Sequence, residues 1–152
     1  MPHWNLDTVR LTDCLGNEIG VDHAMGKGKM KVLCCGDRNW TNRKVIQVVL
    51  ASIGNRVEAI IEGEARGADR IARQEAEALG LKVLPFPADW DRYGRSAGFK
   101  RNIEMLNQEP GLVIAFHDSL ETSKGTSHII REAKARGIQV IVVSSNGKMV
   151  KC

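Results

Sequence analysis

The stretch Met30-Lys31-Val32-Leu33-Cys34-Cys35-Gly36-Asp37-Arg38 decides the fold: an apolar run meets a glycine and then turns to charge. A short apolar run closed by a turn signal is the pattern of a strand buried on both faces. Just beyond it, Val45, Val48, Val49 and Ile53 recur at helical spacing within residues 42–54. The same alternation continues outward. Residues 57–61 read as a second strand, and Ala68, Ala72, Ala76 and Leu79 line one face of a helix that Gly80 stops. Residues 82–86 read as a third strand, placed at an edge because Pro85 has no N–H to give to a ladder. A polar loop over 87–96 and a helix through Ile103 and Leu106 precede a fourth strand at 112–116. A last helix, 126–136, ends at Gly137 and leads to a fifth strand at 138–143. Five apolar strands separated by helices predict an α/β fold with a five-stranded parallel sheet covered on both faces. Right-handed crossovers make 3-2-1-4-5 the simplest strand order.

The chain has 152 residues, enough for one domain with an ample core. The expected organisation is an N-terminal arm over 1–28, the main domain over 29–145 and a loose C-terminal tail over 146–152. In the arm, Thr8-Val9-Arg10-Leu11-Thr12 and Glu18-Ile19-Gly20-Val21 flank the turn-like Leu15-Gly16-Asn17, the pattern of a hairpin. Gly26-Lys27-Gly28 reads as a flexible joint. The arm is expected to pack on the domain edge or to act between subunits.

Cys14, Cys34, Cys35 and Cys152 show neither zinc-ligand spacing nor a disulfide framework, so no metal is expected, and Cys34 and Cys35, at the end of an apolar run, place at least one reduced thiol in the core. No apolar run reaches bilayer length and the first residues lack a secretory pattern, which predicts a cytoplasmic protein with no membrane partner. The formal net charge of +4 favours anionic partners, but Lys27, Lys29, Lys31, Lys148 and Lys151 put part of it in the tails. With aromatics at only 5%, a stacking platform for single-stranded nucleic acid is disfavoured.

Ligands of such sheets bind beyond the strand C-termini where strand order reverses, here between the first and fourth strands. After the first strand, Gly36 allows a sharp turn, Arg38 offers a fork of donors for an anion, and Trp40 either stacks on a base or packs at the rim. The loop is not a Gly-x-Gly-x-x-Gly fingerprint, which disfavours a conventional dinucleotide dehydrogenase. After the second strand, Glu62-Gly63-Glu64-Ala65-Arg66-Gly67-Ala68-Asp69-Arg70 runs into a helix, and free N–H groups there suit an anion. Asp69 fits helix capping or a ligand contact, and Glu62 either a sugar hydroxyl or an internal ion pair. After the fourth strand, Lys124-Gly125-Thr126 at a helix start is a second phosphate-type signature. The chain has no Walker A match, and His117 has the address of a general acid–base group or of a structural histidine.

Taken in order, Gly36-Asp37-Arg38-x-Trp40, Glu62-Gly63-x-Ala65-x-Gly67-Ala68-Asp69, Phe86-Pro87-Ala88-Asp89-Trp90, Gly94-x-x-Ala97-Gly98-x-x-Arg101-Asn102 and Gly125-Thr126 resemble a known set. They resemble the YspA/cpYpsA-related branch of the SLOG superfamily of bacteria and phages, distantly related to LOG and lysine-decarboxylase-like proteins. The resemblance covers about residues 30–143. It implies a Rossmann-like three-layer fold, often dimeric, that binds a nucleotide or an ADP-ribose-like derivative in order to sense or sequester it, in the host cytoplasm if phage-encoded. No cofactor follows beyond that nucleotide-like ligand. Carried over by motif, the ligand-binding set is Gly36, Arg38, Trp40, Glu62, Gly63, Gly67, Ala68, Asp69, Asp89, Trp90, Arg101, Asn102, His117, Gly125 and Thr126. The LOG branch hydrolyses nucleotide N-glycosidic bonds. Here Arg101 fits its arginine position, but Ile129 stands where its glutamate would be and Pro-Gly-Gly is absent. Binding is therefore expected over hydrolysis. The alternative is a nucleotide N-glycosidase or phosphoribohydrolase with Glu62, Arg101, Asp89 or Asp118 as candidate catalytic groups, and single-stranded nucleic-acid binding ranks third.

Overall fold

The computed structural model describes residues 10–20, 25 and 28–151. The five strands read from the sequence are present as β2 (Met30–Gly36), β3 (Val57–Glu62), β4 (Val83–Pro85), β5 (Leu112–Phe116) and β6 (Gln139–Val143). They stand side by side as β4-β3-β2-β5-β6, every neighbouring pair parallel. Between them lie α1 (Arg43–Ile53), α2 (Ala68–Ala78), the one-turn α3 (Trp90–Tyr93) and α4 (Ala97–Leu106), with α5 (Gly125–Ala135) before β6.

The sheet is larger than the five strands expected. The expected loose tail is ordered over Lys148–Lys151, which form β7, antiparallel to β6 with Val142 opposite Val150. The arm adds β1 (Arg10–Thr12), parallel to β7, giving a seven-stranded order of β1-β7-β6-β5-β2-β3-β4. The expected hairpin survives as its turn: Thr12 bridges Glu18 antiparallel, and the Asp13 carboxylate accepts the N–H groups of Leu15 and Asn17 at 2.9 Å each. Its outer residues Thr8, Val9 and Val21, like the joint residues Gly26 and Lys27, lie outside the described residues. Both ends of the chain thus close one edge of the sheet, and the mainly parallel sheet is capped there by an antiparallel strand.

Period-two alternation along β2 explains the layering. Val32 and Cys34 point into one core with Val45, Ile46, Val49, Ile60 and Ala72, covered by α1 and α2. Leu33 and Cys35 point into the other, with Ile61, Met105, Ile129 and Ala133, covered by α4 and α5. Both thiols are fully buried and burial pushes their pKa values up, so they act as small hydrophobes. Among the described residues no helix is long and apolar enough to cross a membrane.

Candidate functional site

The C-terminal ends of the strands carry a cleft. Between β2 and β5 the ladder runs on to pair Gly36 with Phe116, and the Asp37 N–H donates to the Phe116 carbonyl at 2.9 Å. A Cβ on Gly36 would stand 2.2 Å from that carbonyl oxygen. This cleft lies over β3. It measures about 520 Å³ between the loops after β2, β3 and β4, lined by Arg38, Gly63, Glu64, Arg66, Arg70, Trp90 and Arg101 among others.

The floor is the Gly63–Ala65 turn, and two buried acids hold it. Asp69, in the first turn of α2, accepts the N–H of Gly63 at 3.1 Å and of Ala65 at 3.4 Å. It therefore clamps the preceding loop rather than capping its own helix. Burial raises its pKa to about 6, against the pull of Arg101 and of those N–H groups. Glu62 is wholly buried and accepts the Glu64 N–H through Oε2, while Oε1 has no hydrogen-bond partner among the described residues. Burial lifts its pKa to about 9, so at neutral pH it is a protonated acid beneath the floor. Glu64 itself sits at φ +57°, and its carboxylate meets Arg73 Nε at 2.9 Å.

Arg101 reaches this floor from α4. Its Nη1 donates to the Gly63 carbonyl and its Nε to Asn102 Oδ1 at 3.0 Å. A side chain at residue 63 would stand 2.6 Å from that guanidinium, so glycine is what lets the arginine lie against the backbone. Buried Asn102 donates in turn to the Gly125 carbonyl at 3.3 Å and meets His128 Nδ1 at 3.2 Å. On the other wall, Arg66 donates from Nε to the Arg38 carbonyl and from Nη2 to Asn39 Oδ1, each at 3.2 Å. Arg70 donates from Nε to the Glu64 carbonyl at 3.3 Å. Gly67, at φ +80°, packs so closely under this loop that a Cβ would meet the Asp37 carbonyl oxygen at 2.4 Å. Among the described residues, none of the four guanidinium groups lies within 4.0 Å of a carboxylate. Half-exposed Trp90 stands at the lip, 3.4 Å from where a Gly98 side chain would begin.

Sequence comparison now bears on this geometry. Residues 30–93 match the family model described as the YspA, cpYpsA-related SLOG family. Gene 61 protein of Mycobacterium phage D29 is 39% identical over 119 residues, covering 73% of this chain and 94% of the phage protein. The chain belongs to this SLOG family. Among solved structures, DNA processing protein A (DprA) of Streptococcus pneumoniae shares the fold with a TM-score of 0.60 at 16% identity. That match covers 92% of this chain and 58% of DprA, so the SLOG chain spans little more than half of the DprA length.

Of the residues singled out from the SLOG motifs, Arg38, Gly63, Trp90 and Arg101 line the cleft. Glu62, Gly67, Ala68, Asp69 and Asn102 build it from behind. Trp40 does not stack toward it: it is buried, edge-on to Phe116, and its Nε1 donates to the Asn42 carbonyl at 2.9 Å. Asp89 caps α3 by accepting the Arg92 N–H at 3.1 Å and faces a smaller adjoining cavity of about 210 Å³, which shares Pro87 and Arg101 with the cleft. The loop after β5 stays apart. There His117 accepts the Ser119 N–H, Asp118 accepts the Ser145 N–H, and buried Thr126 donates its N–H to Ser123 Oγ. Gly125 is exposed and linked to the site only through Asn102. The sequence reading passed over Arg66 and Arg70. Their signal was position, one on each side of the glycine that opens α2.

Proposed function

We propose that this SLOG chain binds a nucleotide or a nucleotide derivative of the ADP-ribose type, with its phosphate in the arginine-lined cleft and its base against Trp90. The observation that supports this is the set of four guanidinium groups, from three separate segments, turned on one cleft without a carboxylate partner. Guanidinium forks favour phosphate because two parallel N–H groups match two phosphate oxygens. The positive end of the α2 dipole adds to the same field. A mainly apolar ligand would leave these charges facing one another.

The reading favours holding the ligand over cleaving it. Glu62 is sealed under the floor as a neutral acid, and Asp118 is tied to Ser145, so neither reaches a bound sugar. Ile129, at the LOG glutamate position, is core. A sensing or sequestering role, carried out by a homo-oligomer in the cytoplasm, fits a binder of this kind.

A thermal-shift panel of nucleoside mono-, di- and triphosphates, NAD and ADP-ribose tests it, with chromatography of each mixture. A ligand at a hundredfold excess over its Kd adds about 2.7 kcal/mol, a readily visible shift. Stabilisation with the ligand recovered intact is expected. Released base would make the chain a hydrolase. No shift with any nucleotide, beside a salt-sensitive complex with single-stranded DNA, would replace this reading with a nucleic-acid one.

A further inference from the structure

We propose that Arg66 and Arg70 form a second phosphate subsite, making the cleft selective for ligands with two linked phosphates over ligands with one. The inference rests on the nucleotide-binding reading of the same cleft. Its starting point is charge. The cleft is lined by Arg38, Arg66, Arg70 and Arg101; Glu64 is neutralised by Arg73, and the Asp69 carboxylate beneath the floor offsets one of the four, which leaves a formal excess of three positive charges. A single phosphate monoester brings about two negative charges and leaves part of that excess uncompensated. A second linked phosphate supplies what is missing.

Geometry divides the four arginines into two pairs. Arg101 is half-buried against the Gly63 carbonyl, and Arg38 faces the cleft from the loop after β2, so these two suit a phosphate over the glycine floor. Arg66 and Arg70 are exposed and flank Gly67 at the start of α2. Each is already oriented by the backbone: Arg66 through the Arg38 carbonyl, Arg70 through the Glu64 carbonyl. An arginine has five donors, so both terminal nitrogens of Arg70 and Nη1 of Arg66 remain for a ligand after these contacts. Side chains held in place before binding lose little freedom when the anion arrives. The start of α2 has no side-chain cap, and its Ala68 N–H is taken by the Asp37 carbonyl at 3.1 Å, so the donors open to an anion on this wall are the two guanidinium groups.

Calorimetric titration of the full chain with AMP, ADP, inorganic phosphate and pyrophosphate, at one fixed salt concentration, reads this selectivity. The wild type is expected to bind ADP at least about tenfold tighter than AMP, and pyrophosphate tighter than phosphate. The double variant Arg66→Gln/Arg70→Gln should weaken ADP binding at least about fivefold more than AMP binding, so that most of the preference is lost. Arg66→Lys/Arg70→Lys should restore part of the preference, and thermal melts of both variants confirm that the fold is kept. Equal affinities for AMP and ADP, or a double variant that weakens both alike, would overturn the subsite and leave nucleotide binding standing. Failure of the wild type to bind either nucleotide would overturn both.

Discussion

Two loops of this chain look alike in the sequence and differ in the folded molecule. The loop after β3 and the loop after β5 each carry glycine beside basic or hydroxyl residues at the start of a long helix. In the first, buried Asp69 and Glu62 take up the loop's own N–H groups from beneath, and guanidinium groups above are left facing a cleft. In the second, His117, Asp118 and Ser123 take up nearby N–H groups within the loop and its neighbours, and Thr126 is buried. A glycine before a helix supplies the possibility of an anion site. Donors that the fold leaves uncommitted turn that possibility into a place for a ligand.

The sharpest way to break this comparison is to add one methyl group to each loop. Gly67→Ala forces a side chain at φ +80° against two backbone carbonyls and should cost about 3 kcal/mol or more of stability. Gly125→Ala meets nothing within 4 Å and should leave stability within about 0.5 kcal/mol of wild type. Equal denaturation midpoints for the two variants would show that the close packing under the first loop is not what sets it apart.

The buried acids give the next effect, and its sign is fixed. Glu62 is raised to about 9 and Asp69 to about 6, so the folded chain holds protons that the unfolded chain releases near pH 4. Stability contributed by these groups is greatest below pH 4 and falls as pH rises, through about 6 for Asp69 and about 9 for Glu62. Glu62→Gln should remove the slope between pH 6 and 9, seen as a Tm that no longer drops there. Parallel Tm profiles for wild type and variant would sink the assignment.

Smaller effects concern the ligand. Arg101→Ala should weaken nucleotide binding by about 2 kcal/mol, the scale of a charge-assisted hydrogen bond in a partly buried site. A change in the loop after β5, such as Ser119→Ala, should leave the titration unchanged. Trp90→Ala should cost about 1 kcal/mol of affinity and little stability, since the ring is half exposed. If Trp90→Ala binds as well as wild type, the base does not rest on the lip.

Much of the frame was legible because it depends on local pattern. Apolar runs at Val32–Cys35 and Leu112–Phe116 have one stable use in a chain of this size, and Pro85 marked β4 as an edge correctly. The strand β7 was not legible, whereas Arg10–Thr12 reads as a hairpin strand of an arm on the domain edge and joins that edge through β7. Four residues carry no periodic signal, and Lys148-Met149-Val150-Lys151 sets two apolar residues between two lysines, as a tail also could. Trp40 misled for a related reason: an aromatic beside Arg38 reads as a stacking group, whereas Val45 and Phe116 enclose it in the core. Arg66 and Arg70 read as solvated charge until the loop brought them beside Arg38 and Arg101.

The sequence by itself determined the parallel strands, the two helical layers and the loops at the strand ends, because hydrophobic period and glycine placement act through near neighbours in the chain. Tertiary structure alone decided which loop carries the arginine-lined cleft. That choice depends on where each N–H and guanidinium finds its acceptor, and the acceptors come from residues as distant as Gly63 from Arg101.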